Sequence, residues 1–435
     1  MTSNLVLKGQ TLSFRGDPFA VGPDEATRYE RDGAVWIRDG HVAAVGPAPE
    51  VIAQADDTPV TDYGAGLICA GFVDCHVHYP QLPIIASYGE QLLEWLERYT
   101  FPCESAFSDH NHARHIADLF LDECVKNGTT TAAVYATVHP ESVEAFFEAS
   151  SAKGLRMACG KVLMDRNAPE NLRDTAESGY EQSKQLIEKW HGKDRGVYAI
   201  TPRFAPTSTA EQLRAAGELW REYPDTLVQT HISENTNEIE WVAELFPDQE
   251  DYLAVYEAFD LVGPGAIFGH GIHLTTRERA ALLEAGAALA HCPTSNLFIG
   301  SGLFDMAGLR DTSTPITVGL ATDVAGGSSL SMFTTMRAAY EVAQLRGHNL
   351  HPAKLWYMAT IGSAQAMRLD DRIGNLAPGM EADVIVLDLA STPLIEARIN
   401  EAEDIWDVLF AQMILADERA IRATYSGGQQ VWERP

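Results

Sequence analysis

Between residues 71 and 322, short apolar runs alternate with stretches of helical periodicity, and the alternation occurs eight times. The runs are Gly71–Val77, Thr129–Ala136, Leu155–Met164, Val197–Phe204, Leu227–Ile232, Ala266–Ile272, Ala287–His291 and Ile316–Thr322. Segments between them, such as Ser142–Lys153 and Arg277–Ala285, space apolar residues as one helix face requires. Strands joined through helices run parallel, and eight such units in roughly 250 residues suit a closed (β/α)8 barrel. The expected fold class is therefore α/β. No short-period repeat, low-complexity tract or long charge run competes with it.

The two ends differ from the middle. Asn4–Phe14 and Ala34–Val45 are β-patterned, and the second reads strand, Asp-Gly, strand, the form of a tight hairpin. The pattern returns in Ala382–Leu389 and Ala423–Glu433. Residues 1–68 and 373–435 are expected to join as one small β-sandwich domain, with the barrel over 69–372. A net charge of −29 repels phosphate backbones and anionic membranes, so neither nucleic acid nor a membrane is an expected partner. Met1–Gln10 lacks a basic stretch leading into an apolar run, and no apolar segment is long enough to span a bilayer. Six cysteines without any CxxC suggest neither a disulfide framework nor a zinc ribbon. A cytoplasmic protein is expected.

In such a barrel the active site lies at the C-terminal ends of the strands. The first run ends Asp74-Cys75-His76-Val77-His78. Residues two apart on a strand point the same way, so His76 and His78 can both aim into the barrel mouth and grip one ion. His231 and Glu234 end the fifth run, His270 the sixth and Asp323 the eighth, all at the same rim. Histidines with a carboxylate suit a divalent ion such as zinc, with iron as the alternative.

The motifs carry a resemblance. The segment AGFVDCHVHYPQ (Ala70–Gln81) is similar to the opening motif of the amidohydrolase superfamily, although Ala70 stands where proline is common. HISE (His231–Glu234), HG (His270–Gly271), HCPTSN (His291–Asn296) and TDVAGG (Thr322–Gly327) follow in the expected order. LLEWLERYTFPCE (Leu92–Glu104), KVLMDRNAP (Lys161–Pro169) and TPRF (Thr201–Phe204) resemble the guanine deaminase branch. The resemblance implies His76, His78, His231 and Asp323 as ligands of one zinc ion per chain, with a water completing the sphere. It implies that His270 hydrogen-bonds this water, and that His291 only positions a strand end. Four protein ligands exceed the usual three of a catalytic zinc site, so Asp323 is expected to serve partly as a base. A homodimer acting on a small purine base is also implied.

Deamination requires protons for a ring nitrogen and for the departing amine, and one carboxyl can serve both steps. Glu234 is the expected shuttle; the alternative is a helix first-turn acid favoured by the dipole. Arg203 is expected to donate to the six-position oxygen of guanine, or else to pair with one of the many acids. Phe204 stacks on the ring or packs in the core. Gln81 bonds the amide edge through donor and acceptor, and His231 touches substrate as well as metal. Leu93, Leu96 and Phe101 are expected to cover the pocket, and Tyr79 to narrow it or stack within it. A dinuclear hydrolase would need a lysine ending the fourth run, where Thr201-Pro202-Arg203-Phe204 stands; Lys161 lies on the third. Deaminases with paired zinc cysteines are excluded by the lack of CxxC, and a non-catalytic homologue would lack ligands that this chain keeps.

Overall fold

A computed structural model describes residues 4–88 and 91–435; Met1–Ser3 of the opening segment and Gly89–Glu90 lie outside the described residues. A strand forms at each of the eight expected runs: Phe72–His78, Thr129–Tyr135, Arg156–Gly160, Val197–Pro202, Leu227–Ile232, Ala266–His270, Ala288–His291 and Thr317–Leu320. Each pairs in parallel with the next in chain order. The ring closes between its last and first strands. There the Asp323 N–H donates to the His76 carbonyl at 3.0 Å, and the Thr322 N–H to Asp74 Oδ1 at 3.1 Å. The barrel fold is therefore present.

The first strand departs from simple alternation. Asp74 lies opposite Ala132 and Val77 opposite Val134, so three steps on this strand match two on its neighbour. This is a bulge, and bulges re-aim side chains. Before it, Val73 and Cys75 join an interior cluster with Ala133, Ala158, Ala199, Ile267 and Ala290. Cys75 and His76 then both face inward. A Cβ added to Gly319 would lie 2.6 Å from Cys75 Sγ, and one added to Gly269 would lie 2.6 Å from His76 Cε1. Bare glycines on the eighth and sixth strands make room for both side chains.

Beyond the bulge, alternation resumes with His76 and His78 inside and Val77 and Tyr79 outside. Tyr79 therefore corrects an expectation. Instead of narrowing the pocket, it is buried among Phe107, Phe120 and Phe146, and its hydroxyl donates to the Ser142 carbonyl at 2.7 Å.

Both chain ends build one seven-stranded sheet. Its order is Gln429–Glu433, Ile421–Ser426, Val384–Leu387, Val60–Ala70, Asn4–Phe14, Thr27–Arg38, His41–Pro47. All neighbouring pairs are antiparallel except Asn4–Phe14 with Val60–Ala70. The expected hairpin turns at Asp39 and Gly40, both at positive φ, which suits the twist of a two-residue loop. The far edge curls back: Val42 N–H bonds the Met380 carbonyl and Ala382 N–H the Gly40 carbonyl, each at 2.8 Å. Leu7, Val35, Ile37, Ile68, Val384 and Val386 share the apolar centre so enclosed.

Arg156 and Arg195, from the barrel, both bond Glu381, and Arg195 also reaches Asp383 at 2.7 Å. These ion pairs fasten the barrel floor to the sheet. All six cysteines are free, and among the described residues no helix is long and apolar enough to cross a membrane.

Candidate metal and active site

At the C-terminal mouth the strand ends converge. One nitrogen from each of His76, His78 and His231 lies within 4.8 Å of the others, and Asp323 lies beside His76 and His78 of this group. Asp323 Oδ1 is 3.4 Å from His76 Nε2 and 3.6 Å from His78 Nε2, while His78 Nε2 and His231 Nε2 stand 3.2 Å apart. His231 Nδ1 lies 2.7 Å from the Arg203 carbonyl, so it carries the proton and leaves Nε2 as a lone pair.

Burial lowers the pKa of His76, and it drives His78 and His231 well below the ordinary range with help from neighbouring histidines. Neutral imidazoles are what a metal needs. Both ring nitrogens of His76 and Nδ1 of His78 are buried without a hydrogen-bond partner. Unpartnered nitrogens beside a carboxylate fit a divalent cation. Asp323 suits it as well. Burial would raise this carboxyl, but the surrounding His76, His270 and His231 outweigh it and hold the pKa at about 2.

Cys292 also falls within reach of Asp323, His76 and His270, a neighbour the sequence did not flag. Burial pushes its thiol well up, so it stays protonated, and its Sγ lies 3.4 Å from the Ala290 carbonyl. Lys161 does not approach the mouth; it is fully buried in an ion pair with Asp174. His291 stacks on Phe304 with centroids 4.3 Å apart.

Glu234 faces this centre. The following helix, Thr236–Leu245, is capped by Asn235, and Glu238 completes the capping box. The capping work is therefore done by other residues, and the Glu234 carboxyl turns into the barrel. Ser301 Oγ donates to its Oε1 at 2.9 Å, and its Oε2 lies 3.3 Å from His270 Nε2. Burial raises its pKa to about 7, against the pull of His270. His270 is held through Nδ1, 2.8 Å from Asn296 Oδ1, and its Nε2 stands 3.7 Å from Asp323 Oδ2. Glu234 and Asp323 raise the His270 pKa in spite of burial. Ser233, His270 and Asp323, at three strand ends, all have positive φ between 47° and 70°. Non-glycine residues hold that region only at a cost of about 1–3 kcal/mol each, and such strain clusters where function demands it.

A cavity opens over the centre. His78, His231, Glu234, His270 and Asp323 form its floor, while Gln81, Arg203, Phe204, Leu92, Trp95, Leu96 and Thr100 contribute to its walls. Of the three expected cover residues only Leu96 lines it. The stretch is helical, as Leu92–Trp95, Leu96–Thr100 and Phe101–Glu104, so Leu92 and Trp95 share the inner side with Leu96. Leu93 and Phe101 line a separate outer cavity with Trp241. Phe204 is both wall and core, packed in a cluster with Trp95, Leu96 and Phe101.

Arg203 is held by Glu104, with Nη1 at 2.8 Å from Oε2 and 3.1 Å from Oε1. Glu104, Asn296, Ser301 and Asp74 are the contributors that the sequence did not single out. Three of the four sit within quoted motifs, but nothing in their spacing tells which side chain they hold.

The amidohydrolase family profile matches residues 67–431. The chain is similar to the guanine deaminase of Escherichia coli (strain K12), with 47% identity over 410 residues, 94% of this chain and 93% of that protein. A solved structure of E. coli guanine deaminase superposes with a TM-score of 0.96 at 45% identity, covering 99% of this chain and 100% of the other. The structure of guanine deaminase from C. acetobutylicum with guanine bound in its active site matches at TM-score 0.89 and 26% identity, over 99% and 100% of the two chains.

Proposed function

The chain belongs to the amidohydrolase family, and on that premise we propose that it catalyses the hydrolytic deamination of guanine to xanthine and ammonia. The observation that carries this reading is a single cavity lined by His78, His231, Asp323 and Glu234 and also by Gln81 and Arg203. Ion-holding groups and a proton carrier thus share one space with groups that can read a purine edge.

In this reading His76, His78, His231 and Asp323 hold one zinc ion. When bound, such an ion lowers the pKa of a coordinated water and so supplies a nucleophile near neutral pH. Glu234, with its pKa near 7, can take a proton and return it, first to the ring nitrogen and then to the departing amine. Ser301 fixes one of its oxygens and leaves the other toward His270. His270, anchored by Asn296, keeps Glu234 and Asp323 in register. Phe204, Trp95 and Leu96 flank the flat ring and exclude water, which strengthens the polar contacts within. We also take the enzyme to be a homodimer, as the resemblance implies, and cytoplasmic, as its composition suggests.

The test is ammonia release from a panel of aminated purines, pterins and pyrimidines. Guanine should give the highest kcat/KM. Comparable turnover of adenine, which offers a donor where Arg203 needs an acceptor, would sink the assignment.

A further inference from the structure

The Leu92–Glu104 stretch ends in a carboxyl that no step above uses. Glu104 is fully buried and stands behind the cavity wall. Its Oε1 accepts from Gln81 Nε2 at 3.0 Å as well as from Arg203 Nη1, and its Oε2 accepts from Arg203 Nη1. One hidden carboxylate therefore grips two polar residues of the wall, Gln81 and Arg203.

That grip decides what the wall displays. A primary amide can present either end to a ligand, because its oxygen and nitrogen exchange by a simple flip. A carboxylate only accepts hydrogen bonds, so Gln81 must turn its NH2 toward Glu104 and leave its carbonyl oxygen for a ligand. Arg203 commits Nη1 to Glu104, and its Nε and Nη2 groups bond no acceptor among the described residues. The wall offers a fixed acceptor beside a fixed donor fork.

We infer that Glu104 is a specificity-determining positioning residue, which tunes the cavity to a cyclic lactam edge by locking the Gln81 amide and aiming Arg203. The inference rests on the deamination reading and extends it. A lactam edge pairs a ring N–H with an adjacent carbonyl, the complement of this wall. Guanine has that edge. 2-Aminopurine carries an amine at the same ring carbon and has no such edge.

The experiment compares both substrates on the metal-loaded enzyme, with 2-aminopurine also measured as a competitive inhibitor. Glu104→Gln allows the Gln81 amide to flip and removes the charge that aims Arg203. Its kcat/KM for guanine should fall about 10- to 100-fold, as expected for a lost charge-assisted hydrogen bond. Its constants for 2-aminopurine should fall much less, since that ligand lacks the ring N–H and carbonyl pair that the wall complements. Glu104→Asp keeps the buried charge but withdraws it by one methylene; it should show the same selective loss and carries the test if Glu104→Gln does not melt cooperatively. Equal losses on both substrates, or failure of both variants to fold, would assign Glu104 a purely structural role and overturn the inference. A wild type inactive on guanine would instead overturn the deamination reading, and the lactam assignment with it.

Discussion

Glu234→Gln probes the proton carrier through two readouts that move in opposite directions. The substitution keeps the volume and can still accept from Ser301, but it cannot exchange a proton. Turnover should fall by about 10²–10⁴-fold, the usual loss when general acid–base catalysis is removed. Stability should change the other way. A carboxyl raised from 4.5 to about 7 binds its proton more tightly in the folded chain than in the unfolded one. The folded state is therefore penalised as pH climbs through that window, and above it the penalty reaches about 3 kcal/mol. Glutamine does not titrate and escapes it. In metal-free protein, Glu234→Gln should match wild type at pH 4 and exceed it by up to about 3 kcal/mol at pH 8. Denaturant unfolding at both pH values, with ammonia release and guanine calorimetry on the same preparation, measures every term. Near-normal turnover would transfer the proton role to Asp323. A variant less stable than wild type at pH 8 would show that the carboxyl is not held at a cost.

Other outcomes follow from neighbouring contacts. His76→Ala, His78→Ala, His231→Ala and Asp323→Ala should each release most of the bound metal by elemental analysis, whereas His270→Ala should retain it and lose about 10- to 100-fold in rate; full metal retention removes a residue from the ligand set. Tyr79→Phe forfeits the bond to the Ser142 carbonyl and should cost about 1 kcal/mol in thermal unfolding with kinetics unchanged; an altered KM would return Tyr79 to the pocket. Glu381→Ala leaves Arg156 short of its acceptor and should destabilise the fold by about 3–5 kcal/mol with KM for guanine unaffected; a normal melting curve would show that these ion pairs carry little.

The barrel was legible because its signals are local: an apolar run, a helical period, a polar residue at the run's end. His231, Glu234, His270 and Asp323 needed nothing more. Tyr79 was legible by the same alternation, because with His76 and His78 inward Val77 and Tyr79 turn outward; what the sequence hid was the bulge at Cys75–His76, which brings Cys75 inward as well. Leu96 lines both cavities and Leu93 only the outer one because the Leu92–Glu104 stretch is helical, and its phase rather than its hydrophobicity selects the inner side. Glu104 and Asn296 stayed silent for a different reason. Their partners lie far away in the chain, and only the closed barrel brings them together.

The sheet built from both chain ends sets a schedule for making the protein. Leu67 and Leu387 are register partners, as are Ala70 and Val384, so one side of Val60–Ala70 has no partner until nearly the whole chain has been synthesised. At roughly 5–20 residues per second, that edge waits about 15–65 seconds on the ribosome. Throughout, its unpaired N–H and C=O groups can template pairing with any other nascent strand. The yield of active enzyme should therefore depend on the traffic of unfinished chains. Slower expression at lower density should recover more of it than any change to the catalytic mouth.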